Sequence, residues 1–141
     1  MPPVGDDVGS PRIAADDLFR PGVEVAETHV SRIAFIGDRA HKLKKAVRFA
    51  FVDLSTPERR EWVCRREVEL NRRFSPDVYL GVEEVVDDEG RVVDHAVLMR
   101  RMPAARRLAT LITTGRDVSP CLQAVARIMA GCHARAATSD Q

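Results

Sequence analysis

Lysine is nearly missing from this chain. Three of 141 residues are lysine, all within four positions (Lys42, Lys44, Lys45), and arginine supplies the other nineteen positive charges. Aromatics are scarce at 5%, with one Trp and one Tyr, which argues against a surface that stacks nucleic-acid bases. Neither sign of charge dominates: 22 basic against 21 acidic residues leave a net charge of +1, without the global bias of a nucleic-acid or membrane binder. No apolar run reaches the roughly 18 residues of a membrane span. The N-terminus, Met1-Pro2-Pro3-Val4-Gly5-Asp6-Asp7, lacks the basic and apolar regions of a secretory signal. Cys64, Cys121 and Cys132 are odd in number and fit no zinc or redox spacing, so reduced thiols in the cytoplasm are expected. There is no G-x-x-x-x-G-K-[ST] and no glycine-rich phosphate loop.

What is present is organised as strands, one helix, more strands, then helices. The length suits one domain or one incomplete lobe of a larger one. Residues 1–20 are rich in Pro, Gly and Asp and read as a flexible segment, with a short helical turn after Ser10-Pro11. Strands are expected at 23–26, 30–36 and 40–47, with Gly37-Asp38 as a turn. Thr56 is placed to cap a helix that has Pro57 in its first position and runs to about Phe74. Two further strands, 78–86 and 91–99, flank the turn Asp87-Asp88-Glu89-Gly90. Helices follow near 105–113 and from Ser119 to about Ala137. The fold class is α+β: a five-stranded antiparallel sheet with one inserted helix, then the start of a helical region. Residues 21–103 form the first unit and 104–141 the second.

A chain that otherwise prefers the planar fork of arginine keeps lysine where a compact, flexible point charge is wanted. Such a charge on a strand can hold nucleotide phosphates, with a helical glutamate keeping the ammonium in place. Val63, Glu67, Leu70 and Phe74 are spaced to share one helical face, and three of them are apolar. Glu67 is then an acid on a face turned to the sheet, where an unpaired charge costs several kcal/mol. The lysines are the available cations. Ala40, Lys42 and Lys44 alternate onto one side of their strand. The small Ala40 leaves room for a flat ring beside Lys42, as the alanine of V-A-I-K does. Lys42 is favoured as the phosphate ligand and close partner of Glu67, with Lys44 as its alternative and expected further away. Glu69 shares its side with Arg66 and Arg73 and reads as a surface pair.

These blocks, Glu27-Thr28-His29-Val30-Ser31, Ala40 to Val47, Phe51 to Thr56, Arg66 to Arg73 and Val78 to Val82, resemble one bacterial family in order and spacing. It comprises the aminoglycoside-phosphotransferase-like proteins often fused to a P-loop ATPase domain, and the arginine-rich composition is similar to that of actinobacterial members. The likeness covers about residues 20 to 138. It implies a protein-kinase-like small lobe that binds ATP, with Lys42 and Glu67 as its ion pair. Met99, Arg100, Arg101 and Met102 would be the hinge meeting the adenine edge, and Pro103 would lead into an incomplete large lobe.

The family's catalytic loop and its magnesium-holding aspartate have no counterpart here. Past the hinge the only aspartates are Asp117 and Asp140, neither in such a context. The expectation is a truncated kinase-like lobe, catalytically inactive alone, with weak ATP binding and Mg2+ only if the missing lobe is supplied. A second reading makes it the ATP-binding half of a split small-molecule phosphotransferase completed by a separately encoded large lobe. A third is a basic interaction or nucleic-acid-binding module using Lys42 to Lys45 and the Arg pairs, disfavoured because acids interleave those pairs. No membrane partner is expected.

Overall fold

A computed structural model of the chain describes residues 9–138. Its elements, in chain order, are β1 (Arg12–Ala14), α1 (Ala15–Leu18), β2 (Glu24–Glu27), β3 (Ser31–Ile36), β4 (Arg39–Lys44), β5 (Arg48–Phe49) and β6 (Val52–Asp53). Then come α2 (Pro57–Asn71), β7 (Tyr79–Val86), β8 (Val92–Arg100), a 3-10 turn (Ala104–Arg106), α3 (Leu108–Thr113) and α4 (Ser119–Arg135). The fold is α+β. The main sheet has six strands in the order β1-β7-β8-β4-β3-β2, and β5-β6 is a separate small hairpin.

The expected five-stranded antiparallel sheet is therefore corrected to a mixed one. Its sixth strand lies in the N-terminal stretch read as loosely held: β1 runs parallel to β7, with Arg12 opposite Glu84 and Ala14 opposite Val86. Without it, the eight-residue β7 would present an open edge of unpaired backbone groups. The Arg12–Glu84 ion pair at 2.7 Å fastens the two strands. Residues 1–8 lie outside the described part. The apolar stretch before α2, expected only to lead into that helix, folds into the β5-β6 hairpin.

The sheet is covered on both faces. On one, Leu18 of α1 is fully buried with Ala34, Val85 and Ala96, and Phe19, Val23, Ile36 and Leu43 pack around them. On the other, Cys64 and Val68 of α2 pack on Val97, beside Tyr79, Val82 and Met99. Tyr79 and Val82 are three apart and would face opposite ways on a regular strand. A register shift between Tyr79 and Gly81 sets Tyr79 opposite Met99 and Val82 opposite Val97, so both reach the helix side. Arg72 holds the carbonyls of Tyr79 (2.8 Å) and Leu80 (2.5 Å) at that irregularity.

Helix α2 begins as its sequence implies. Thr56 Oγ1 accepts the Arg59 amide at 3.4 Å, and Pro57 occupies the first turn, where no backbone donor is needed. Its buried stripe, however, is Arg60, Cys64 and Val68. Val63, Glu67 and Leu70 lie at the margin of that stripe, half-buried, and Phe74 falls beyond the helix and is exposed. Burial pushes the Cys64 thiol up to about 11. Alkylation with iodoacetamide is expected to modify the exposed Cys121 readily and to leave Cys64 untouched until urea unfolds the chain. Rapid labelling of Cys64 in the folded protein would contradict this packing. No helix among the described residues is long and apolar enough to cross a membrane.

Candidate functional site

On β4, Ala40, Lys42 and Lys44 point to the α2 side of the sheet, in register with Phe35, Ile33 and Ser31 of β3 and, for the first two, with Met99 and Val97 of β8. The marginal position of Glu67 on α2 brings its carboxylate over these lysines. Lys42 Nζ donates to Glu67 Oε1 at 2.8 Å, and Lys44 Nζ donates to Glu67 Oε2. Lys44 is thus a direct partner of Glu67, which corrects the expectation that it lies further away. Two strand residues on one side are close enough for one carboxylate to span them.

The two lysines differ in exposure. The Lys42 side chain is 25% exposed and that of Lys44 only 7%. Burial on its own would raise the pKa of Glu67, but the hydrogen bonds and charges of Lys42 and Lys44 outweigh it and hold the carboxyl below its ordinary value. The triad therefore carries two positive charges against one negative, a surplus of one cation. Lys42 opens onto a cleft of about 480 Å³ that it lines with Trp62, Val63, Glu67, Leu70 and Tyr79, among others. Asn71 Nδ2 donates to the Glu67 carbonyl at 2.8 Å and steadies the last turn of α2. Lys45, the third lysine, faces away and pairs with Glu27.

The expected hinge is less simple. Met99 stands opposite both Ala40 and Tyr79, on the same side as Lys42. The Arg100 amide donates to Val78 O and the Arg101 amide to Asp38 O, each at 2.9 Å, so neither is free to meet a ligand. The Arg101 side chain pairs with Glu24 and lies 5.0 Å over the Phe35 ring. Met102 is exposed beyond the strand. The structure thus brings together Lys42, Lys44 and Glu67, sets Met99 along the same face, and turns Arg100 and Arg101 to other partners.

Two arrangements escaped the sequence reading. Arg60, one of the arginine pairs, is buried, with its Nε 3.1 and 3.0 Å from the two Asp94 carboxylate oxygens and its Nη1 donating to Leu54 O at 3.0 Å. On the opposite side of the sheet, His41 Nδ1 and Glu83 Oε1 meet at 2.5 Å in a buried pair. Strand alternation does turn His41 away from Lys42, but the acid it meets lies 42 residues on. The surface pairing of Glu69 with Arg66 is as expected, at 2.7 Å. Asp117 accepts the Ser119 amide at 2.9 Å just ahead of α4, and Asp140 lies outside the described residues. No group of three or more His, Cys, Asp or Glu side chains suited to a metal ion occurs among the described residues.

A stretch of 116 residues, 82% of this chain, is 41% identical to the uncharacterized protein Rv2004c of Mycobacterium tuberculosis, and equally to the uncharacterized protein Mb2027c of Mycobacterium bovis. That stretch makes up 23% of each relative, so the chain spans under a quarter of their length. A stretch of that size within 141 residues begins no later than residue 26 and ends no earlier than residue 116. It therefore takes in Lys42, Lys44, Glu67 and the segment Met99 to Met102. No family model and no solved structure matches the chain.

Proposed function

We propose that the cleft at Lys42 receives the phosphates of ATP, and that the chain is the small lobe of a kinase-like phosphotransferase that transfers no phosphate by itself. The observation that carries this is the triad. Glu67 neutralises one lysine's worth of charge, and of the two lysines Lys42 is the one that opens to the cleft. A fixed, half-desolvated cation with a surplus charge is what an anionic phosphate requires. Met99 and the small Ala40, opposite each other on the same face, offer an apolar floor for a flat ring. The reaction itself would need a residue to position the acceptor hydroxyl and a carboxylate for magnesium, and those supply most of the rate in phosphoryl transfer.

The nucleic-acid reading draws less support. Six of the ten arginines of the pairs are already engaged within the chain: Arg59 with Asp53, Arg60 with Asp94, Arg65 with Glu61, Arg66 with Glu69, Arg72 with the Tyr79 and Leu80 carbonyls and Arg101 with Glu24.

Calorimetric titration with ATP and magnesium tests the proposal. Binding is expected at about 100 μM or weaker, because an open cleft encloses less of a ligand than a closed pocket does. Lys42→Ala should abolish it. Tighter binding indifferent to Lys42→Ala, or none at all at millimolar ATP, would remove the reading. No transfer to an aminoglycoside or sugar above background is expected under the same conditions; transfer lost in Lys42→Ala would refute the inactive half of the proposal.

A further inference from the structure

Covering the sheet does not explain the second lysine of the triad. Lys44 stands opposite Ser31 of β3, is nearly buried, and does not line the Lys42 cleft. A methionine would cover the same surface with no charge to desolvate, and a buried ammonium is costly even when paired. Among the described residues, Glu67 is the one acid paired with it.

What Lys44 changes is the charge that a ligand at Lys42 meets. Glu67 divides its carboxylate between the two lysines, with Oε1 accepting from Lys42 at 2.8 Å and Oε2 accepting from Lys44. Lys42 and Glu67 without Lys44 would be a neutral pair, and an incoming anion would compete with the carboxylate for the one cation. Lys44 restores the surplus from the buried side. The other cation lining the cleft, Arg66, adds none, because Glu69 neutralises it at 2.7 Å. An ammonium has three donors. Lys42 gives one to Glu67, and the other two meet no acceptor among the described residues. It can therefore hold phosphate oxygens without leaving the carboxylate.

We propose that Lys44 is a positioning residue for anion binding. It touches no ligand, keeps Glu67 neutralised and held from the buried side, and so leaves the charge of Lys42 to a phosphate chain. This inference rests on the reading of the Lys42 cleft as a phosphate site. It adds that Glu67 alone opposes binding and that the second lysine removes the opposition.

The test measures binding of ATP and of inorganic triphosphate to the full chain. The readout is the fluorescence of Trp62, the single tryptophan, which lines the cleft. Lys44→Met should weaken both ligands by about 10-fold, the scale of one nearby unit charge at a partly screened site, and should flatten the dependence on salt. Adding Glu67→Gln to Lys44→Met strands no buried lysine and returns the surplus charge. Binding should then recover to within about threefold of the wild type. A Lys44 that served packing alone would allow no recovery, since the double variant still lacks it. Lys42→Ala separates failure of the site from failure of the Lys44 role. No binding by the wild type, or binding that survives Lys42→Ala, would remove the phosphate site and this inference with it. Binding lost in Lys42→Ala but unchanged in Lys44→Met would overturn the role of Lys44 and leave the site standing. So would a loss in Lys44→Met that Glu67→Gln fails to repair.

Discussion

Replacing Glu67 with alanine is expected to cost about 3–5 kcal/mol of folding stability, because the change strands a buried lysine. Lys44 keeps only 7% of its side chain exposed, and its ammonium has Glu67 as its counter-ion. Lys42, more open, can recover water. The rescue should therefore be unequal: Lys44→Met in the Glu67→Ala background should restore most of the loss, and Lys42→Met little. Urea unfolding of the wild type and these three variants at pH 7 measures this directly. An unchanged midpoint for Glu67→Ala, or equal rescue by the two lysine changes, would show that the triad does not organise the site. The sign with pH follows from the depressed pKa of Glu67. Its contribution is fully present above the ordinary value of 4.5 and is lost as pH falls through the lower folded value. The gap between the wild type and Glu67→Gln should accordingly close below pH 4.5, and not on the alkaline side.

Arg60→Met is expected to cost about 3 kcal/mol, the lower end for a broken buried pair because Asp94 retains some solvent access. The methionine keeps the apolar stem but removes every donor. The two oxygens of Asp94 and the Leu54 carbonyl then lose the guanidinium, and Asp94 Oδ1 keeps the His95 amide. The effect should reach the site. Arg60 fixes the first turn of α2 to the start of β8, and Glu67 lies two turns further along the same helix. ATP binding should therefore weaken in Arg60→Met even though the residue lines no part of the cleft. A double variant that also carries Asp94→Asn should cost less than the sum of the two single changes. Strict additivity would mean that the two residues are not coupled.

Local signals carried most of the architecture into the sequence. Thr56-Pro57, the Asp87 to Gly90 turn and the alternation of β4 each act within a few residues, and the corresponding elements form where expected. Long-range pairing did not show. Nothing in Arg12-Ile13-Ala14 announces a strand whose partner is 72 residues away, and three residues are too few for a pattern. The burial of Arg60 was hidden for a related reason: among doublets of arginine, only the position of Asp94 tells which guanidinium turns inward. That misread shifted the expected buried face of α2 toward Val63 and Phe74, away from Cys64 and Val68. Glu67 was still recognisable, since it lies near the edge of either stripe. The shared role of Lys44 was not, because alternation alone could rank the two lysines but could not show one carboxylate bridging both.

The parallel pairing of β1 with β7 also sets an order of events during synthesis. β1 leaves the ribosome well before β7, whose last residue, Val86, is made 72 residues after Ala14. At about 5–20 residues per second, that leaves β1 waiting for several seconds. The hairpin of β3 and β4 closes through a two-residue turn meanwhile, and β8 can join β4 only after α2 and β7 have been made. β1 thus waits for β7, and Leu18, which follows β1, can complete its core only once Ala96 of β8 has been made as well. A growing chain of this protein spends that interval with β1 unpaired, so its vulnerability to proteases and to strand-pairing neighbours lies in its birth more than in its finished state.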